Sequence, residues 1–263
     1  CTPTPASISP MSVPERAAAA DRLVGDARIL LALLRGRGRR GSHAERLQAF
    51  YGPQAECYDA FRERLLHGRA ELMARLDVPA GGHVVELGAG TGRNLLYLDE
   101  TPGRCGIDAL VRADLVDLCP SLLGIARRRF AGRGNVHVSE ADACRWRPDA
   151  PVDRVCLSYA LTMIPDWRGA IDNAVSMLRP GGRLGVVDFY VSSAAPPPGL
   201  VRHDRFTRSF WPRWFAHDGV QLDAERLAVL RERMPDHDLI ERRASVPYLP
   251  RLRVPYYLFI GRA

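Results

Sequence analysis

The sequence contains no lysine, and its 37 lysine-plus-arginine positions are all arginine. A Walker-type phosphate loop and Schiff-base chemistry both require a lysine amine, so both are excluded. Long apolar runs are equally scarce. The strongest near the N-terminus, "ILLALL" at Ile29–Leu34, falls far short of the roughly 20 residues that span a bilayer. Its arginines follow the run instead of preceding it, unlike a secretory leader. The six cysteines (Cys1, Cys57, Cys105, Cys119, Cys144, Cys156) form no CxxC pair and no zinc-ligand spacing, and read as free thiols of a reducing compartment. No internal repeat and no metal-binding cluster is visible. These shortages describe an intracellular, cytoplasmic chain, soluble or at most peripheral on the inner face of a membrane.

Positive charge and glycine are what the chain does have. The formal charge is +7, with one dense cluster, "RGRGRRG", at Arg35–Gly41. Such a cluster is either a solvated face or a contact for an anionic membrane. Aromatic interleaving typical of nucleic-acid modules does not accompany it, so no nucleic-acid partner is expected. Residues 1–41 read as a disordered Pro/Ser/Thr tail followed by an amphipathic helix. Residues 42–80 read as a helical segment interrupted at Pro53, its start capped by Ser42 with Glu45 three positions on.

From residue 83 the pattern becomes alternating strands and helices. Strands are expected at His83–Leu87, Arg112–Leu118, Val136–Ser139, Asp153–Tyr159 and Arg183–Tyr190, and two more in "HDLIERRASV" and "VPYYLFIGR". Helical stretches fall at Asn94–Asp99, Ser121–Phe130 and Trp167–Leu178. The alternation predicts an α/β fold, a mostly parallel sheet with helices on both faces. Between them, "SSAAPPPG" introduces an aromatic and arginine-rich segment, 201–222, to which no element is assigned.

The glycines concentrate in "VVELGAGTGRN". A strand ending in Gly88, Gly90 and Gly92 and opening a helix is a nucleotide-cofactor loop by type. Its G-x-G-x-G spacing, with Arg93 and Asn94 where the dinucleotide pattern continues to a third glycine, disfavours a pyrophosphate cradle. Glu86 stands just before the loop. Asp117 ends the second strand, where a carboxylate can accept both hydroxyls of a ribose. Asp142, after the third strand, is placed to accept from an adenine amino group. Asp108 is a rival to Asp117, ranked below it.

In order and spacing, "VVELGAGTGRN", "DLVDLCPSLLGIARRR", "EADA", "VDRVCLSYALTMIPDW" and "LRPGGRLGVVDF" resemble the class I S-adenosylmethionine-dependent methyltransferases. The resemblance implies a Rossmann-like seven-stranded sheet, residues 81–263 as catalytic domain and 42–80 as a lid over the cofactor. It implies S-adenosyl-L-methionine as cofactor, with S-adenosyl-L-homocysteine as product. The implied cofactor contacts are Glu86, Gly88, Ala89, Gly90, Arg93, Asn94, Asp117, Leu118, Asp142, Ala143 and Ser158. Tyr159 would lie beside the methyl donor or only fill space. His217 and Asp218, adjacent in "WFAHDGV", are the best general-base candidates, against a structural role for both.

The flanks "SHAERLQAFYGPQAECYDAFRERLLHGR", "HDRFTRSFWPRWFAHDGVQL" and "PYLPRLRVPYYLFIGR" are similar to the betaine-lipid branch, the diacylglyceryl-homoserine N-methyltransferases. That likeness implies N-methylation of a lipid-headgroup amine, with Tyr51 and Tyr58 in the lid and 201–222 meeting the substrate. The aromatics there either cover a sheet edge, hold an ammonium by cation–π contact, or sit at a lipid interface. A soluble small-molecule acceptor and a non-catalytic cofactor-binding partner remain the alternatives. The oligomeric state stays open.

Overall fold

Along β1 (His83–Leu87), Val84 joins one hydrophobic cluster while Val85 and Leu87 join another. The same alternation separates Leu115 from Val116 in β2 (Arg112–Asp117) and Val187 from Val186 in β5 (Leu178–Phe189). Successive side chains of a strand point to opposite faces, so the central sheet is buried on both sides. This is why its strands read as apolar runs, a property of parallel sheets. The computed structural model describes residues 41–52, 58–216, 219–247 and 249–263.

Among the described residues, seven strands form one sheet in the order β3-β2-β1-β4-β5-β7-β6, with β3 at Val136–Glu140, β4 at Val152–Ser158, β6 at His237–Val246 and β7 at Leu249–Arg262. All pairings are parallel except those of β7, which runs antiparallel to β5 and β6. The helices are α1 (His43–Tyr51), α2 (Tyr58–Leu65), α3 (Arg69–Leu76), α4 (Tyr97–Glu100), α5 (Pro120–Arg129), α6 (Trp167–Ser176), α7 (Arg205–Ala216) and α8 (Glu225–Arg233). The expected fold class holds.

Three local expectations are corrected. The helix expected at Asn94–Asp99 is a 3-10 turn, Arg93–Leu96, running into the short α4. β5 begins five residues early, at Leu178, because Leu178 pairs with Val152 before the register shifts and Arg183 pairs with Arg154. The segment 201–222, given no element above, contains α7, and α8 follows it unannounced. Pro212 sits inside α7, where it removes one backbone bond and ordinarily signals a break. Tertiary burial of Trp211 and Phe215 outweighs that local cost.

The segment 42–80, expected above to be a lid, is fastened to the rest of the fold through α1 and α2. Ser42 and Glu45 form the capping box at the start of α1: Glu45 N donates to Ser42 Oγ at 3.2 Å and Ser42 N to Glu45 Oε2 at 2.6 Å. Leu47, Phe50 and Tyr51 then pack on Cys119 and Leu122 at the head of α5, and the Gln48 amide donates to Ser121 Oγ. On α2, Asp59 accepts from Thr91 Oγ1 at 2.6 Å and from the Arg129 guanidinium. Arg129 also donates to the Thr91 carbonyl at 2.6 Å. The lid is therefore tied to the glycine loop itself. The expected tail and amphipathic helix lie outside the described residues, apart from Gly41.

Candidate active site

In an open α/β sheet, ligands bind beyond the carboxyl ends of the strands where the strand order reverses. Here that point lies between β1 and β4, and a cavity of about 300 Å³ opens there. Its walls come from Gly88 and Gly90 after β1, Asp117 and Leu118 ending β2, Asp142 and Ala143 after β3, and Ser158 and Tyr159 at the end of β4. Tyr51 closes it from the lid. The chain thus gathers nine of the residues singled out from sequence around one void.

The glycine loop has its composition for two different reasons. Gly88 adopts φ +76°, and a Cβ there would stand 2.5 Å from the Ala160 Cβ. Gly92, at φ +69°, would place a Cβ 2.7 Å from Leu115 and 2.8 Å from Phe130, so it serves helix-on-sheet packing. Gly90, between them, lines the cavity.

Asp117 Oδ2 accepts from Gly90 N at 2.8 Å and Oδ1 from Cys119 N at 2.8 Å. Burial pushes its pKa up, against the lowering pull of those backbone amides. Each carboxylate oxygen has a further lone pair, and Asp117 lines the cavity. Asp108, the rival, is an exposed residue paired with Arg133 at 3.4 Å. It does not line the cavity. Asp142 Oδ1 accepts from Cys144 N at 2.9 Å, which orients it, and the Ala143 carbonyl accepts from Asn173 at 2.7 Å. Ser158 Oγ is buried with no hydrogen-bond partner, a polar atom that a bound ligand would satisfy.

Four of the predicted cofactor residues support the loop without lining the cavity. Glu86 Oε1 accepts from Asn94 Nδ2 at 2.5 Å, and Asn94 Oδ1 accepts from Arg69 at 3.3 Å. Burial raises Glu86 to about 7, with Asn94 and Arg69 lowering and Asp117 raising it. Ala89 donates its backbone N to the Val116 carbonyl at 3.0 Å. Arg93 faces the lid: its guanidinium pairs with Glu63 at 2.6 Å and Glu100 at 3.0 Å and lies over the Tyr97 ring. Glu63 also accepts from Tyr97 Oη and pairs with Arg69. Arg93 is a lid anchor by position.

Tyr159 adopts φ +54°, a strained conformation for a bulky residue that the surroundings impose. Its ring packs on Phe189 at 4.5 Å between centroids, and its phenol donates to the His67 carbonyl at 2.7 Å. Burial drives its pKa well up, further raised by Asp188, so the phenol stays neutral. This is a joint between β4 and the lid. Tyr159→Phe is therefore expected to lower stability by about 1 kcal/mol, the worth of one hydrogen bond, while kcat changes less than about threefold. Thermal melts and steady-state turnover check this; a drop of about 100-fold in kcat alone would return the phenol to the chemistry. Tyr58 heads α2, its side chain lying outside the described residues, as do His217 and Asp218.

Several cavity residues escaped the sequence reading: Arg62 and Leu66 from the lid, Met163 and Ile164 after β4, and Val220 after α7. They lie inside the stretches quoted above, but no residue type singles them out there. Only chain folding brings them to the void.

A family model described as "Methyltransferase domain" matches residues 84–182, the span that builds the loop, the Asp117 strand and the β4 wall. Residues 84–182 form a methyltransferase domain. The residues present fit an adenosyl cofactor: a buried carboxylate, an orphaned hydroxyl and a glycine-lined approach. The chain is 30% identical over 156 residues to the demethylmenaquinone methyltransferase of Tropheryma whipplei (strain Twist), a match covering 57% of this chain and 61% of that protein. The chain thus spans about three fifths of that curated relative's length. A "Ubiquinone/menaquinone biosynthesis C-methyltransferase" from Ectopseudomonas mendocina (strain ymp) is 28% identical over 203 residues, 74% of this chain and 76% of that one. Among solved structures, the N-methyltransferase NodS from Bradyrhizobium japonicum WM9, in complex with S-adenosyl-l-homocysteine, superposes with a TM-score of 0.57 at 18% identity. That superposition covers 82% of this chain and 97% of NodS, and at such identity it speaks for the fold alone.

Beneath the site, Asp188 accepts from Thr162 N at 3.0 Å, Thr162 Oγ1 at 2.8 Å and Phe189 N at 2.8 Å. Burial raises it to about 6, partly offset by Thr162 and Arg226. Glu86 and Asp188 both hold their protons more tightly folded than unfolded. Stability tied to them is complete below the ordinary carboxylate pKa of about 4 and is lost as pH rises through about 6 and about 7. The melting midpoint of ligand-free protein is expected to fall between pH 5 and pH 8, and Glu86→Gln to flatten that slope. A slope identical in the variant, followed by calorimetry, would show that Glu86 does not titrate there.

Proposed function

We propose that this chain transfers a methyl group from S-adenosylmethionine to an amine on a lipid headgroup, with the homoserine nitrogen of a diacylglyceryl lipid as acceptor. The carrying observation is the cavity wall beyond the cofactor loops. Leu47, Leu66, Met163, Ile164, Phe189 and Val220 line it together with Arg62. An apolar wall with a cation suits an acceptor that joins a hydrocarbon body to an anionic group beside its reacting nitrogen. The likeness of the flanking segments to the betaine-lipid branch supports the same acceptor.

S-adenosylmethionine, when bound, supplies an electrophilic methyl on a sulfonium. Asp117 would hold the ribose hydroxyls, the Gly88–Gly90 backbone would lie against the methionine part, and Asp142 with Ala143 would face the adenine. In-line displacement depends on alignment and on exclusion of water more than on acid–base help. The lid, fastened by Asp59 and Gln48, supplies that exclusion. The amine must be neutral to attack, so turnover should rise with pH towards the amine's own pKa.

The test is incubation of the full chain with methyl-labelled donor and diacylglyceryl-homoserine in mixed micelles, followed by mass spectrometry. Successive methyl additions to the lipid are expected; turnover on soluble amines with none on the lipid would end this reading. The activity named for the Tropheryma and Ectopseudomonas relatives favours a second one, carbon methylation of an apolar quinone-type ring, which the same wall would hold. A quinol acceptor in the parallel assay separates the two.

A further inference from the structure

Helix α7 carries three stripes of different chemistry. Thr207, Trp211 and Phe215 are buried. Phe206, Phe210 and Trp214, one residue earlier in each turn and so rotated by roughly 100°, form an aromatic ridge. Phe206 stacks on Phe210 at 5.1 Å and Phe210 lies 5.6 Å from Trp214. The remaining face is a shallow groove of Arg205, Arg208, Ser209, Pro212, Arg213 and Ala216.

The ridge is not covered. Phe206 is 61% exposed and Trp214 44%, and with Val201 they make three of the four large apolar side chains exposed among the described residues. Nor is the charge neutralised. The helix has three arginines and no carboxylate, and among the described residues no acidic side chain pairs with Arg205, Arg208 or Arg213. Burying aromatic surface beside unpaired guanidinium groups calls for a partner with an apolar interior and an anionic skin. A protein partner would need carboxylates at fixed points along the groove, whereas an anionic bilayer offers both chemistries at any register.

The helix also touches the active site. Its buried Phe215 packs against the cavity-lining Phe189 at 4.8 Å between ring centroids, and the cavity residue Val220 donates its backbone N to the Phe215 carbonyl. The geometry points to α7 as the element that seats the protein on an anionic phospholipid surface, with Phe206 and Trp214 inserted and the arginines on the headgroups. This deepens the lipid-acceptor reading and rests on it: the acceptor would enter the cavity from the bilayer past α7.

The test is flotation of the full chain with vesicles of phosphatidylcholine alone and of phosphatidylcholine with one quarter phosphatidylglycerol. Binding to the anionic vesicles is expected to exceed binding to the neutral ones by at least about tenfold, and to weaken with salt. The double variant F206S/W214S should lose about 10- to 100-fold of it, as should R205Q/R208Q/R213Q. Both variants should keep wild-type affinity for S-adenosylhomocysteine, which shows that they are folded and that the cofactor site stands. No anionic-vesicle binding, or unchanged binding by both variants, overturns the docking assignment while leaving the cofactor site intact. Capture of soluble polyglutamate in place of vesicles would overturn it in favour of an acidic protein. Loss of S-adenosylhomocysteine binding by the wild type would instead strike the function proposed above.

Discussion

Asp117→Ala is expected to weaken S-adenosylmethionine and S-adenosylhomocysteine binding by about 100-fold in isothermal calorimetry. Hydrogen bonds to a charged group are worth about 1.5–3 kcal/mol each, and a ribose would make two to this carboxylate. Losing about 3 kcal/mol corresponds to a little over two decades in affinity. Part of that loss is structural, because Gly90 N and Cys119 N both donate to the same side chain. Asp117→Asn, which keeps one acceptor oxygen, should fall between the two. Asp108→Ala should bind normally, since Asp108 is an exposed partner of Arg133. Wild-type affinity in the Asp117→Ala protein would remove the central assignment of the site.

Gly88→Ala should be the most damaging single-methyl change in the chain. Two costs combine there. An L-residue at φ +76° carries about 1 kcal/mol of backbone strain, and the added methyl would lie 2.5 Å from Ala160 Cβ. Neither β-carbon can rotate away, so backbone must move, at about 1–3 kcal/mol. The sum lowers the melting midpoint by roughly 5–15 °C in a protein of this size and distorts the loop that meets the cofactor. Gly181→Ala provides the control. Its φ is +77° with nothing within 4 Å of the added methyl, so only the strain remains and the midpoint should drop by roughly 2–4 °C. Equal drops in the two variants would show that contact with Ala160 is unimportant.

The strand-end residues that gather around the cavity were legible because their placement is local. A glycine turn, a strand-end carboxylate and a second carboxylate after the next strand each follow from backbone position in a βαβ unit, and the cavity is where the strand order reverses. The roles of Arg93 and Tyr159 were not legible. Arg93 turns to Glu63 on a lid helix thirty residues earlier, and Tyr159 spends its phenol on His67. Both partners are chosen by tertiary approach. α7 was hidden for another reason: Pro212 contradicts a helix locally, and only burial of one face against the sheet stabilises it.

By itself, then, the residue order determined the alternation of strands and helices, the glycine bend and the strand-end carboxylates that line the cavity, because these depend on neighbours within a few positions. The tertiary structure alone decided which arginines are anchors, which aromatics are buried and what lines the acceptor end. Those outcomes depend on long-range packing, which no short window of sequence contains.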